Sequence, residues 1–175
     1  LDAWLMLGRT FFAAGKPAEA AEALRWASRI SGAPEITAYY GEALVQTAGG
    51  TVTEQALGVF LEAAGLDPTE PRARFYLALA DHQAGRREEA LAAWQRLAAD
   101  SPQDAAWRPA VEARIRQGAG ELGKNAEPLI PPPAAAGDKP AREVLRSPTV
   151  LAMVARLADR LEREGGDADA WLRLG

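Results

Sequence analysis

Residues 72–102, RARFYLALADHQAGRREEALAAWQRLAADSP, recur in altered form twice earlier in the chain, and this recurrence limits the fold more than any other feature. The stretch reads as two amphipathic helices joined at Gly85. Leu77 and Ala78 lie in the first, Ala90, Trp94 and Leu97 in the second, and Pro102 ends it. Small residues at 78 and 90 suit a close crossing of two backbones, and Trp94 and Leu97 fill the space beside that crossing at helical spacing along one face. Gly85 supplies a left-handed cap, and Pro102 cannot continue a helix. Stepping back 70 residues from these positions gives Leu7, Gly8, Gly15, Ala20, Leu24 and Ala27, with Trp4 three residues before Leu7. Stepping back 34 gives Ala56, Phe60, Ala63 and Pro68.

One such hairpin cannot cover its own apolar face, so the copies must stack. The pattern matches the tetratricopeptide (TPR) repeat, a large residue, Leu-Gly/Ala, a turn glycine, Ala, a large residue and Pro over about 34 residues. The expected fold is all-α, a TPR-type helical hairpin solenoid (α-α superhelix) with repeats at 1–32, 35–68 and 71–102. The second repeat is irregular. Glu42 or Ala43 falls where the Leu-Gly pair is expected, and Gly49-Gly50-Thr51-Val52-Thr53 is a lengthened turn. Thr53 is a suitable N-cap for a helix over 54–65.

Beyond Pro102, residues 104–117 read as a capping helix whose Trp107, Val111 and Ile115 recur every four residues and can close the end of the array. Residues 118–146 hold five prolines and four glycines, the composition of an extended linker. Ser147-Pro148 restarts a helix, with Val150, Leu151, Val154, Leu157, Ala158 and Leu161 on one stripe. Residues 168–175, ADAWLRLG, then repeat residues 1–8, LDAWLMLG, with six identities in eight. The expected organisation is three repeats plus a capping helix over 1–117, a Pro/Gly-rich linker over 118–147, and an amphipathic helix with the start of a further repeat over 148–175. Leu1 falls in the first turn of a helix, so the chain reads as a piece of a longer protein.

Charge and composition narrow the function. The formal net charge is −4, with both signs interspersed and no basic block, so no electrostatic footprint for nucleic acid is present. The chain has no cysteine, which excludes disulfides and thiolate metal sites within it. No apolar run reaches the ~18 residues that span a bilayer. The one histidine, His82, has no second histidine at ligand spacing, and no serine elbow accompanies it. Neither a catalytic residue nor a metal ligand nor a cofactor is expected, and the chain reads as a non-enzyme.

Binding is the more natural use of such a solenoid, whose concave face is lined by the first helix of each repeat. Helical geometry places Leu5, Arg9 and Phe12 there from repeat one, Tyr40 and Leu44 from repeat two, and Phe75, Leu79 and His82 from repeat three. This mostly apolar groove with aromatic anchors suits an amphipathic helix. On this reading, Phe75→Ala weakens a bound peptide without unfolding the array.

The stretches WLMLGRTFFAAGKPAEAAEAL, YYGEALVQTAGGTVTEQAL, ALAAWQRLAADSP and SPTVLAMVARLADRLEREGGDADAWLRLG together resemble the periplasmic TPR part of the c-type cytochrome biogenesis family, the apocytochrome c chaperone subunit of the system I maturation pathway. The resemblance covers nearly all of the chain except the proline-rich linker. It implies a domain on the periplasmic side of the inner membrane, held there by anchors outside this chain. It also implies that the domain binds the C-terminal helix of apocytochrome c, presents it to the subunits of the haem-ligation complex, and performs no chemistry itself. The alternative from another class is a generic TPR scaffold joining folded proteins in a complex.

Overall fold

A computed structural model of the chain describes residues 1–132. They form seven α-helices in antiparallel succession: α1 (Asp2–Ala13), α2 (Pro17–Ser31), α3 (Pro34–Thr47), α4 (Glu54–Leu66), α5 (Pro71–Gln83), α6 (Arg87–Asp100) and α7 (Arg108–Glu121), followed by a 3-10 turn at Glu127–Leu129. No strand occurs among the described residues. The fold is an all-α stack of TPR-like hairpins, α1/α2, α3/α4 and α5/α6, with α7 laid against α6. The amphipathic helix and the further repeat expected over 148–175 lie outside the described residues.

Local sequence accounts for the helix ends. Pro17, Pro34 and Pro71 each stand at the first position of a helix, where a missing N–H costs nothing. The Thr53 side chain accepts from the Ala56 N–H at 3.2 Å, and Glu70 caps α5 in the same way through the Ala73 N–H at 2.6 Å. Each first helix ends in the same wrapped turn, with Lys16 N–H on the Phe11 carbonyl, Gly50 N–H on Val45 and Arg86 N–H on Asp81, all at 2.9 Å. That turn needs a left-handed residue, and Gly15, Gly49 and Gly85 supply it with φ of 68°, 63° and 84°.

Within each hairpin one small residue meets one large one. Gly8 faces Leu24, and Gly41 faces Phe60, so close that an added Cβ would stand 2.7 and 2.6 Å from the partner side chain. Buried Ala78 and Trp94 hold the corresponding places in the third hairpin. The second repeat is therefore regular at its crossing. Tyr40-Gly41 occupies the place of Leu7-Gly8 and Leu77-Ala78, where the sequence pattern points to Glu42 or Ala43. The spacing from Gly41 to Phe60 is 19 residues, against 16 from Gly8 to Leu24; one of the three extra residues lengthens α3 ahead of Gly49 and two lie between Gly49 and α4.

The repeats are tied by apolar packing and by a few polar clasps. A continuous core runs from Val45, Phe60 and Ala63 through Tyr76, Leu77 and Trp94 to Val111 and Ile115. The buried hydroxyls of Ser28 and Thr37 bond at 2.8 Å between α2 and α3. Gln83, at the end of α5, accepts from Val52 N–H at 2.9 Å and donates to the Gly50 carbonyl at 2.8 Å, which pins the long turn of repeat two to repeat three. Arg74 of α5 pairs with Asp100 of α6 at 2.6 Å.

The far end differs from the sequence expectation. The capping helix does not stop at 117, and the linker does not begin at 118. Helix α7 continues to Glu121, with Gly118 and Ala119 buried and Gly118 lying beside Leu91 and Trp94 of α6. The chain then folds back, and Leu122, Leu129 and Ile130 pack onto the main core. Buried Arg108 fastens this return. It donates to the carbonyls of Ala98 at 2.5 Å, Ser101 at 3.3 Å and Pro131 at 2.6 Å, and pairs with Glu112 at 2.9 Å. Of the expected capping stripe, Val111 and Ile115 are fully buried, while Trp107 stays largely in solvent with its indole N–H on Ser101 Oγ at 3.0 Å.

Candidate peptide-binding groove

The first helices α1, α3 and α5 lie side by side, and the side chains they turn away from their partner helices make the candidate site. On α1, Leu5 is half-buried against a small core of Ala20, Ala21, Leu24 and Ala43. Phe12, one turn beyond Arg9, stacks on Tyr39 of α3 with ring centroids 5.3 Å apart. Arg9 is exposed, and its charge favours ionisation of the Tyr39 hydroxyl. Burial and Glu42 outweigh it, so the hydroxyl titrates above the usual tyrosine range.

Tyr39 links α1 to α5. The Arg72 guanidinium lies 5.0 Å from the centroid of its ring, in cation–π contact, and pairs with Glu42 at 2.6 Å. Glu42 also accepts from the Tyr76 hydroxyl at 3.4 Å. Burial raises the Tyr76 pKa, and Glu42 raises it further. The result is a strip, Leu5, Arg9, Phe12, Tyr39, Glu42, Arg72, whose central Phe12–Tyr39 stack has Arg9 on one side and the Glu42–Arg72 pair on the other. The sequence reading did not include Tyr39, Glu42 or Arg72. Their signal was the Gly41 register: counted from Gly8 and Gly41, Glu42 is the equivalent of Arg9.

The remaining candidates fall elsewhere. Tyr40 and Leu44 are turned around the helix from the strip. Tyr40 packs on the core of repeat one and accepts a bond from Gln55 at 3.3 Å, and Leu44 sits between the two cores. Phe75 is half-buried, edge-on to Tyr76 at 5.2 Å and tilted against Trp94 at 6.3 Å, so its truncation would disturb the core as well as any groove. Leu79 is 5% exposed, within the core that includes Val111 and Ile115 of α7. His82 is bonded to Glu121 of α7 at 2.7 Å, with its ring 5.7 Å from that of Trp94. In repeat three α7 therefore covers what the groove would use, and the open part of the face belongs to repeats one and two.

Glu121 anchors that cover. Its bond from His82 and another from Gln117 hold the carboxyl below the usual glutamate range, and Arg87 approaches to 3.4 Å. Among the described residues no group of three His, Cys, Asp or Glu side chains could hold a metal ion, and no helix is long and apolar enough to cross a membrane.

A stack of helical hairpins with this small-to-large crossing, wrapped glycine turn and terminal proline defines a TPR domain, a class built to bind other proteins. The family model for the tetratricopeptide repeat matches residues 5–71 and 53–106, and the chain belongs to that family. Among curated proteins it is similar to the cytochrome c-type biogenesis protein CycH of Bradyrhizobium diazoefficiens, 35% identical over 98% of this chain and 46% of the relative. It is 36% identical to the CycH protein of Rhizobium meliloti over the same shares. The CycH protein of Pseudomonas aeruginosa is 32% identical over 77% of this chain and 34% of its own length. The chain thus spans less than half the length of these relatives. No solved structure gives a significant match.

Proposed function

We propose that this domain is a non-catalytic peptide-holding module of cytochrome c maturation, which binds the C-terminal helix of an unfolded apocytochrome c and presents it to the haem-ligation subunits. The strip Leu5–Arg9–Phe12–Tyr39–Glu42–Arg72 carries the reading. Its aromatic pair is half-buried, with the exposed Arg9 beside Phe12 and Arg72, paired to Glu42, over the Tyr39 ring. Such a surface takes one face of an amphipathic helix and can orient it by charge. Similarity to proteins named for cytochrome c-type biogenesis supports the choice of client. By the same resemblance, the domain works on the periplasmic side of the inner membrane, anchored through segments outside this chain.

A client helix that is disordered when free costs a few kcal/mol to order on binding, so the expected affinity is about micromolar, near −8 kcal/mol. The test is calorimetric titration of the chain with a synthetic C-terminal helix of an apocytochrome c, beside a scrambled peptide. Saturable binding of the native peptide alone supports the client. Equal binding of both peptides, or of neither, overturns it and favours a scaffold for folded proteins.

A further inference from the structure

We propose that Arg9 and Glu35 form an open charge clasp that reads one carboxylate and one cation on the bound helix, and so select the client by its charge pattern. The inference rests on the strip being the client site and names what that site recognises. Counted from the crossing residues Gly8, Gly41 and Ala78, Arg9 of α1 is the counterpart of Glu42 of α3, and Glu35 of α3 is the counterpart of Arg72 of α5. Between α3 and α5 these two places are closed by the pairing of Arg72 with Glu42 at 2.6 Å. Between α1 and α3 the same two places carry the opposite signs and stay open. Arg9 and Glu35 are both exposed, and neither has a hydrogen-bond or ion-pair partner among the described residues. The helices differ in the same sense, since α3 packs directly on α5 whereas α1 and α3 come less close. Both places lie between helices of the stack, so the comparison does not depend on what precedes α1.

Position and charge then define the partner. Arg9 stands one turn before Phe12 and Glu35 one turn before Tyr39, so each ring of the stacked pair has a charge beside it along its own helix. Glu42 and Arg72 already neutralise each other, which leaves Arg9 and Glu35 as uncommitted charges flanking the rings. In water such exposed charges gain little from pairing. A helix seated on Phe12 and Tyr39 removes water from one side of both, and an unmatched charge there loses hydration with nothing in return. The face thus fits an amphipathic helix whose apolar stripe is flanked by a carboxylate for Arg9 and a Lys or Arg for Glu35. Because the two signs differ and stand on different helices, they also favour one direction of the client over its reverse.

The test is a double-mutant cycle, read by calorimetry on the whole chain. The ligands are the synthetic C-terminal helix of an apocytochrome c and two variants of it, one with its acidic and one with its basic residues changed to Gln. Arg9→Gln and Glu35→Gln supply the protein side, and both substitutions lie on the surface and leave the core untouched. Removing the peptide's acids should weaken binding by about fivefold or more in the parent and by less than about twofold in Arg9→Gln. Removing its bases should do the same in the parent but not in Glu35→Gln. Both effects should shrink as salt rises. Equal losses in parent and variant at either residue would overturn the clasp and leave the client assignment intact. No saturable binding of the unaltered peptide would overturn both readings.

Discussion

Gly41 of α3 stands so close to the ring of Phe60 in α4 that a Cβ on it would lie 2.6 Å from the ring carbon Cε1. Phe60 is fully buried and cannot turn aside without displacing the core it shares with Val45 and Tyr76, on whose ring it stacks at 4.8 Å. Gly41→Ala is therefore expected to destabilise the domain by about 1–3 kcal/mol through overpacking. Gly8→Ala, whose new methyl would meet the end of the Leu24 side chain rather than a rigid ring, should cost less. Chemical denaturation of the two variants checks both the sign and the order.

Phe12 stacks on Tyr39 across the gap between repeats and packs at the edge of the small repeat-one core, outside the main core. Phe12→Ala should weaken a bound client helix by about 1–3 kcal/mol, with helicity kept and a smaller fall in melting temperature than Phe75→Ala gives. Phe75→Ala should lower the melting temperature as well, because Phe75 packs on Tyr76 and Trp94. Titration and thermal melts on the pair separate a binding residue from a core residue. Unaltered affinity in Phe12→Ala would remove the strip from the site.

Arg108 is buried, with four partners spread over α6, α7 and the returning chain. Arg108→Ala removes the guanidinium donor from the Ser101 and Ala98 carbonyls, the second of which keeps only the Ser101 N–H, and frees residues 122–132 at their far end. A loss of about 2 kcal/mol or more is expected. Limited proteolysis should show new cleavage within 122–132 before any in α1 to α5.

Glu70 gives a pH dependence of known sign. Burial raises its pKa above the ordinary 4.5, even though the Ala73 N–H pulls it down. The folded state thus holds this proton more tightly than the unfolded chain does. Its contribution to stability is fullest below the unfolded value and declines as pH rises through the folded one. Glu70→Gln keeps a cap acceptor without the charge, so melting temperature should fall less between acid and neutral pH in the variant than in the parent. Glu121 acts oppositely, because its carboxyl is held below the usual range and favours the folded state as pH rises.

The first six helices, their order and most of their ends were written in the sequence. First-position prolines, the Thr53 cap and the left-handed Gly15 and Gly85 act on their own few residues, and the Ala78, Ala90 and Trp94 pattern repeats often enough to set the stacking. Three matters needed the tertiary structure. The register of repeat two depends on which residue meets Phe60, and one extra residue in α3 together with two in the turn hid that from a count along the chain. The length of α7 depends on Gly118 lying beside Trp94, a contact made across 24 residues of sequence. The surroundings of the last two candidates were decided by α7 as well, since Leu79 is buried in the core it shares with Val111 and Ile115 and His82 is tied to Glu121. Helix caps and stripes are short-range and survive in any context, whereas the covering of a face depends on which distant helix comes to lie on it.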